Sequence, residues 1–339
     1  MRKNVGFDRQ LSFEAKETLA EMVCDDHPNW WRDLLSLWAP SGHEGGLRLA
    51  IRNGYMNFYS CGQSVARIAF DRKGTPKLYV HRKYVSGSHD GGQDYVKLLA
   101  GQGCDRQGEI CAWGGASMLR SWIANSVKHR GPEKCDVEKA VARMPTVIDL
   151  EMGLPASKGQ KTPLRMDMVA LERTGDCIQL IFWEAKMISD GRLRSRTTPK
   201  VFEQVDAYER FLGDDRNRQR VIEAYRRTCK LLRNFNVVAQ QIAQVPPIDE
   251  LILEAARDDA RLDAAPTPRL LIFDNGTKRD EKAWQGHLLR LSERMPVTVV
   301  PPRSQVELAL ERGHAHGPPS RKGDWRRNSS SWLVGSSGV

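Results

Sequence analysis

The chain has 339 residues, 40% of them hydrophobic, which is enough for two domains or for one elaborated domain around its own core. No run approaches the roughly 20 consecutive apolar residues of a membrane span, and the opening Met1-Arg-Lys-Asn-Val-Gly-Phe-Asp lacks the apolar stretch of a secretory signal, so a cytoplasmic protein with no membrane partner is expected. An excess of lysine and arginine (52) over acids (42) leaves a formal charge of +10, which favours a polyanionic partner, and seven scattered cysteines without a Cys-x-x-Cys pair fit reduced thiols better than a disulfide frame.

From about Ser12 to Trp38 the apolar spacing is helical, with Leu19, Met22 and Val23 before a break at His27-Pro28 and Trp31, Leu34, Leu35 and Trp38 after it. The character then changes. Asn53-Gly54 and Lys73-Gly74 are turn signals, and Ser64–Phe70 and Lys77–Tyr84 alternate as strands do, so a small antiparallel meander is expected. Arg52, Tyr55, Tyr59, Arg67, His81, Arg82, Lys83 and Tyr84 would give it a cationic and aromatic face; an ordinary exposed sheet face is the plainer reading. The stretch Gly101–Gly115 reads as a glycine-rich connection without a phosphate-loop pattern, so nucleotide hydrolysis has no support. Cys104, Cys111, His89 and His129 are too irregularly spaced to argue for a metal site. Helices are expected at Ser117–Lys128 and from Pro132 to about Arg143, with a domain boundary between Lys128 and Cys135. Residues 1–130 then form an N-terminal α+β recognition or interaction module.

Three apolar strands follow. Pro145–Glu151 ends in a carboxylate, Leu164–Leu171 carries Asp167, and Cys177–Ile188 holds Glu184 and Lys186, which share one face because strand side chains alternate. An isolated Glu-x-Lys in a strand is most simply a structural ion pair. Here a basic loop (Arg192, Arg194, Arg196, Lys200) comes next, then a helix, Val201–Phe211, that sets Gln204 and Tyr208 four apart on one face. A helical insertion is expected over about 213–262, followed by a strand at Arg269–Asp274, a helix over about Asp280–Arg294 and a strand at Val297–Val300. A last helix begins at the capping pattern Ser304–Glu307, and a basic, disordered tail occupies 313–339.

The order Glu151, Asp167, Glu184-Ala185-Lys186, Gln204-x-x-x-Tyr208 resembles the PD-(D/E)XK nuclease superfamily, and the glutamine-tyrosine helix is similar to its RecB-like branch. The resemblance covers roughly residues 132–212 and a later strand, and departs from the pattern in one respect: Pro163 does not adjoin Asp167. It implies an α/β fold with a restriction-endonuclease-like core, a mixed central sheet flanked by helices, within a domain spanning residues 131–312. It also implies hydrolysis of nucleic acid, DNA favoured over RNA, with Mg²⁺ as cofactor and Mn²⁺ as the alternative. On that basis Asp167, Glu184 and the Ala185 backbone carbonyl hold the metal, and Glu151 supports its water shell or a second ion. Lys186 holds or deprotonates the attacking water, Gln204 orients lysine, water or phosphate, and Tyr208 touches the backbone or packs. Arg192, Arg194, Arg196 and Lys200 are the phosphate contacts. Defence against foreign DNA, restriction or repair would suit such an enzyme, acting alone, as a homodimer, or docked to a protein partner through the N-terminal module. The rival reading is a non-catalytic nucleic-acid-binding or scaffold protein with the same fold.

Overall fold

The computed structural model describes residues 7–87, 94–155, 165–195 and 198–301. The chain divides into two compact units, one comprising Met1–Phe182 and Arg210–Pro266, the other Trp183–Glu209 and Thr267–Val339. It is a mixed α/β protein. Among the described residues no helix is long and apolar enough to cross a membrane.

The first unit opens with helices α1 (Phe13–Cys24) and α2 (Trp30–Ser36), each started by a side chain that accepts an otherwise unpaired backbone N–H, Ser12 from Ala15 and Asn29 from Arg32. Strands β1 (Arg48–Arg52), β2 (Tyr55–Ser60), β3 (Gln63–Phe70) and β4 (Pro76–His81), the short helix α3 (Arg82–Ser86) and strand β5 (Tyr95–Leu98) follow. The five strands pair antiparallel in chain order, which is the expected meander. The β2–β3 turn is tight. Cys61 and Gly62 take φ of +46° and +71°, the left-handed pair whose twist matches that of the flanking strands. The connection read as a loop over Gly101–Gly115 instead contains a two-stranded ribbon, β6 (Gln102–Cys104) with β7 (Ile110–Ala112). Three-residue strands are too short to show alternation, so the pattern carried no signal.

Helices α4 (Ala116–Val127) and α5 (Pro132–Val141) lead to β8 (Val147–Gly153), which pairs antiparallel with β9 (Arg165–Thr174). β9 neighbours β10 (Cys177–Met187), a strand that starts in the first unit and ends in the second. Helix α6 (Val201–Leu212) belongs mostly to the second unit. The chain then returns to the first through α7 (Asp215–Ile242), α8 (Glu250–Ala255) and β11 (Leu262–Ala264), which lies parallel on the start of β10. The second unit is completed by β12 (Arg269–Phe273), α9 (Glu281–Arg294) and β13 (Val297–Val300), with the end of β10, β12 and β13 all parallel.

No division falls at Lys128–Cys135. Residues beyond that point are tied into the first unit by ion pairs, Arg48 with Glu138 at 2.7 Å and Arg9 with Asp149 at 3.4 Å, and by apolar packing. The expected insertion is α7 and α8, and its Phe235 ring meets Trp31 edge-on at 5.4 Å in the first unit's core. The last helix and the basic tail lie outside the described residues, as do His89, Pro163 and Arg196.

Candidate active site

Parallel strands buried on both faces tolerate charge only where it is compensated, and β10 carries two such charges. Glu184 lies opposite Leu270 and Lys186 opposite Ile272, so both point to the face on which Leu270 and Ile272 pack under Val201 and Val205 of α6 and Trp284 and Leu291 of α9. They are 4% and 2% exposed. Lys186 Nζ pairs with Glu184 Oε1 and donates to the Ala185 carbonyl at 2.7 Å. Gln204, one turn into α6, donates through Nε2 to the same Glu184 oxygen at 2.9 Å. Its own Oε1 is buried and accepts from no donor among the described residues. Tyr208, on the same side of α6 one turn later, is fully buried. Within this unit, then, the structure brings Glu184, Lys186 and Gln204 together and engages the Ala185 carbonyl with the lysine.

Glu151 and Asp167 meet in the first unit. The β8–β9 register sets Leu150 opposite Met168 and Met152 opposite Met166, which puts Glu151 across from Asp167. A register shift between Val147 and Asp149 marks a bulge in β8, a device that re-aims the side chains beyond it. Glu151 also stands at φ +53°, a left-handed conformation that costs a non-glycine residue about 1–3 kcal/mol and persists only where the surroundings impose it. Between the two carboxylates sits the ammonium of Lys134 from α5, 2.5 Å from Glu151 Oε1 and 2.6 Å from Asp167 Oδ1. Burial works against this ammonium, but Asp167 and then Glu151 outweigh it and hold its pKa above the usual lysine range. Sequence reasoning missed Lys134, because an exposed-looking lysine on a polar helix carries no spacing relation to strands that follow it.

Beside Glu151 lies a buried charge cluster that was equally hidden. The Asp149 carboxylate, with no exposed side-chain surface, takes the Arg52 guanidinium on one oxygen and Arg9 on the other, with the Tyr225 hydroxyl donating to it at 2.9 Å. Arg52 reaches on to the Leu150 carbonyl and to that of Glu151 at 3.3 Å. It therefore grips the backbone on both sides of the strained position. Burial is the largest influence on Arg52 and opposes its charge, yet Asp149 reverses the balance and raises its pKa. Burial first and Asp149 second push the Tyr225 hydroxyl well above the ordinary tyrosine value.

The remaining sequence candidates are dispersed. Arg192 is exposed and pairs with Asp190. Arg194 donates to the Ile188 carbonyl at 2.7 Å and lies over the Trp284 ring, while Lys200 is exposed. The meander does not present one cationic face: Arg52, Tyr59 and Tyr84 are buried, and the exposed Arg67 stacks on Tyr55 at 4.4 Å. On α7, Arg218, Arg227 and Lys230 pair with Asp263, Asp8 and Asp258.

Among the described residues no three His, Cys, Asp or Glu side chains form a metal-binding group. Mg²⁺ commonly takes only one or two carboxylates and keeps several waters. Glu151 and Asp167, near enough to share one ammonium, supply that hard oxygen pair, so their chemistry fits such an ion. No family model, curated protein or solved structure matches this chain.

Proposed function

We propose that the chain is a divalent-metal-dependent nuclease of the PD-(D/E)XK type, RecB-like branch, that hydrolyses phosphodiester bonds with DNA preferred over RNA. The observation that carries the reading is the buried Glu184–Lys186 pair on β10, met at Glu184 by Gln204 of α6. A charged pair is an expensive occupant of a buried parallel strand, and replacing it with apolar residues is often neutral or stabilising, so its presence argues for use. In this proposal Glu151 and Asp167 would hold the ion, and Glu184 with the Ala185 carbonyl would hold Lys186 in place. Bound Mg²⁺ or Mn²⁺ supplies neutralisation of the charge that grows on the phosphate. Lys186 holds the attacking water. The water oxygen bonds to phosphorus as the bridging P–O bond breaks, and the departing oxygen takes up a proton. Gln204 fixes Glu184 through Nε2, which leaves Oε1 to accept from water.

Purified protein incubated with linear and circular DNA and with RNA, in Mg²⁺ or in EDTA, tests this. Metal-dependent cleavage by the wild type, abolished in Glu184→Gln, is the expected result; intact substrate under every condition removes the proposal. A second reading, a nucleic-acid-binding protein without catalysis, has one observation behind it: both acidic groups are neutralised by the chain's own lysines, Glu184 by Lys186 and the Glu151–Asp167 pair by Lys134. It requires nucleic-acid binding that Glu184→Gln leaves unchanged and no cleavage at all.

A further inference from the structure

Lys134 is held in place along its whole length. Its ammonium lies between Glu151 and Asp167, and its stem passes beneath the β2–β3 turn, where a Cβ added at Gly62 would stand only 2.7–2.9 Å from the Cβ, Cγ and Cδ of Lys134. Only a glycine leaves room for that stem, and Gly62 also needs the left-handed φ of +71°. The side chain is nonetheless 25% exposed, so it is not sealed in. An ion bound to both carboxylates would need oxygen contacts of about 2.0–2.1 Å in the space the nitrogen now fills, and its double charge would repel the ammonium. Nitrogen and ion exclude each other.

We propose that Lys134 is an exchangeable counter-cation: it holds Glu151 and Asp167 together in the metal-free protein, yields its place when a divalent ion binds, and then serves as a cation for the substrate phosphate. The inference rests on the nuclease reading for its last step and not for its first. A lysine suits the task better than an arginine. Its single charge sits on a flexible four-carbon stem with three rotatable donors, so it can leave two carboxylates without breaking a bidentate geometry and still reach an anion nearby. While the ammonium is in place, the ion must displace it, and this lowers the ion's apparent affinity. With the ammonium outside, it adds positive charge beside the ion, where a phosphodiester needs it.

The test measures Mn²⁺ binding to the full chain by the loss of the free-ion paramagnetic resonance signal, comparing wild type with Lys134→Met and Lys134→Gln, whose folding is checked by circular dichroism melts. Removing the charge is expected to tighten Mn²⁺ binding on the order of tenfold, and Asp167→Asn is expected to erase that gain. Equal or weaker binding in both Lys134 variants overturns the exchange, as does absence of binding in every chain. In a parallel cleavage assay at saturating metal, Lys134→Met should raise KM for DNA by about tenfold with a smaller change in kcat; an unchanged KM overturns the phosphate role. The outcomes separate the two claims. Tighter Mn²⁺ binding without any wild-type cleavage keeps the exchange and removes the nuclease, whereas cleavage with unaltered Mn²⁺ affinity keeps the nuclease and removes the exchange.

Discussion

Replacing Asp149 with alanine should be among the most damaging single changes in this chain. The carboxylate is wholly buried and serves two guanidinium groups, Arg9 and Arg52, together with the Tyr225 hydroxyl. Removing one partner of a buried ion pair costs about 3–5 kcal/mol, because the other charge stays behind without compensation. The lost tyrosine hydrogen bond adds about 1 kcal/mol. A total near 4–6 kcal/mol is a large part of the roughly 5–15 kcal/mol that holds a domain folded. At about 2–4 °C per kcal/mol for a unit of this size, the melting temperature should fall by roughly 8–24 °C. Thermal and urea unfolding followed by circular dichroism measure it, with Asp149→Asn, which keeps the shape and one acceptor, falling between variant and wild type. A loss below about 1 kcal/mol would refute the reasoning, since it would mean that water reaches the guanidinium groups and that the cluster does not grip the backbone at Glu151.

The Glu184–Lys186 pair lends itself to a double-mutant cycle: Lys186→Met alone should destabilise by about 3–5 kcal/mol, whereas Glu184→Gln with Lys186→Met, which removes both charges, should lie within about 2 kcal/mol of wild type while cleavage is lost in both. Equal destabilisation by the single and double variants would show that the pair is not coupled. Glu151→Gly relieves the left-handed backbone and removes the carboxylate, so its unfolding midpoint should stay within about 1 kcal/mol of wild type while cleavage falls; a large loss of stability would show that the conformation is unstrained. In the second unit, the hydrogen bond from Arg294 lowers the pKa of Glu209 against the opposing effect of burial, with Thr267 assisting. A depressed carboxyl pKa contributes stability above its unfolded value of 4.5 and loses it as pH falls through the folded value. Glu209→Gln should therefore be less stable than wild type at pH 7, and the difference should close in acid, as urea midpoints at neutral and acidic pH will show.

Much of the fold could be read locally. The helices from Ser12 to Trp38, the meander around Asn53-Gly54, the strands bearing Glu151, Asp167 and Glu184, and α6 with Gln204 and Tyr208 one turn apart all follow from periodicity and turn chemistry acting over a few residues. The sharing of one face by Glu184 and Lys186 needed only the alternation of a strand. The meander's faces were not legible in the same way. Alternation shows that Arg52 and Tyr59 occupy defined faces, but not that the face is covered, and both prove buried.

The amino-acid sequence by itself determined the order of strands and helices and the positions on them that can carry acid-base chemistry, because backbone preferences and side-chain periods act between near neighbours. Tertiary structure alone decided which charges meet. Lys134 reaches Asp167 across 33 positions, and Arg52 reaches Asp149 across 97. Such pairs leave no pattern in the chain, since an ion pair in a folded interior depends on where whole elements pack, and that packing also determines how much water is left to weaken the charge.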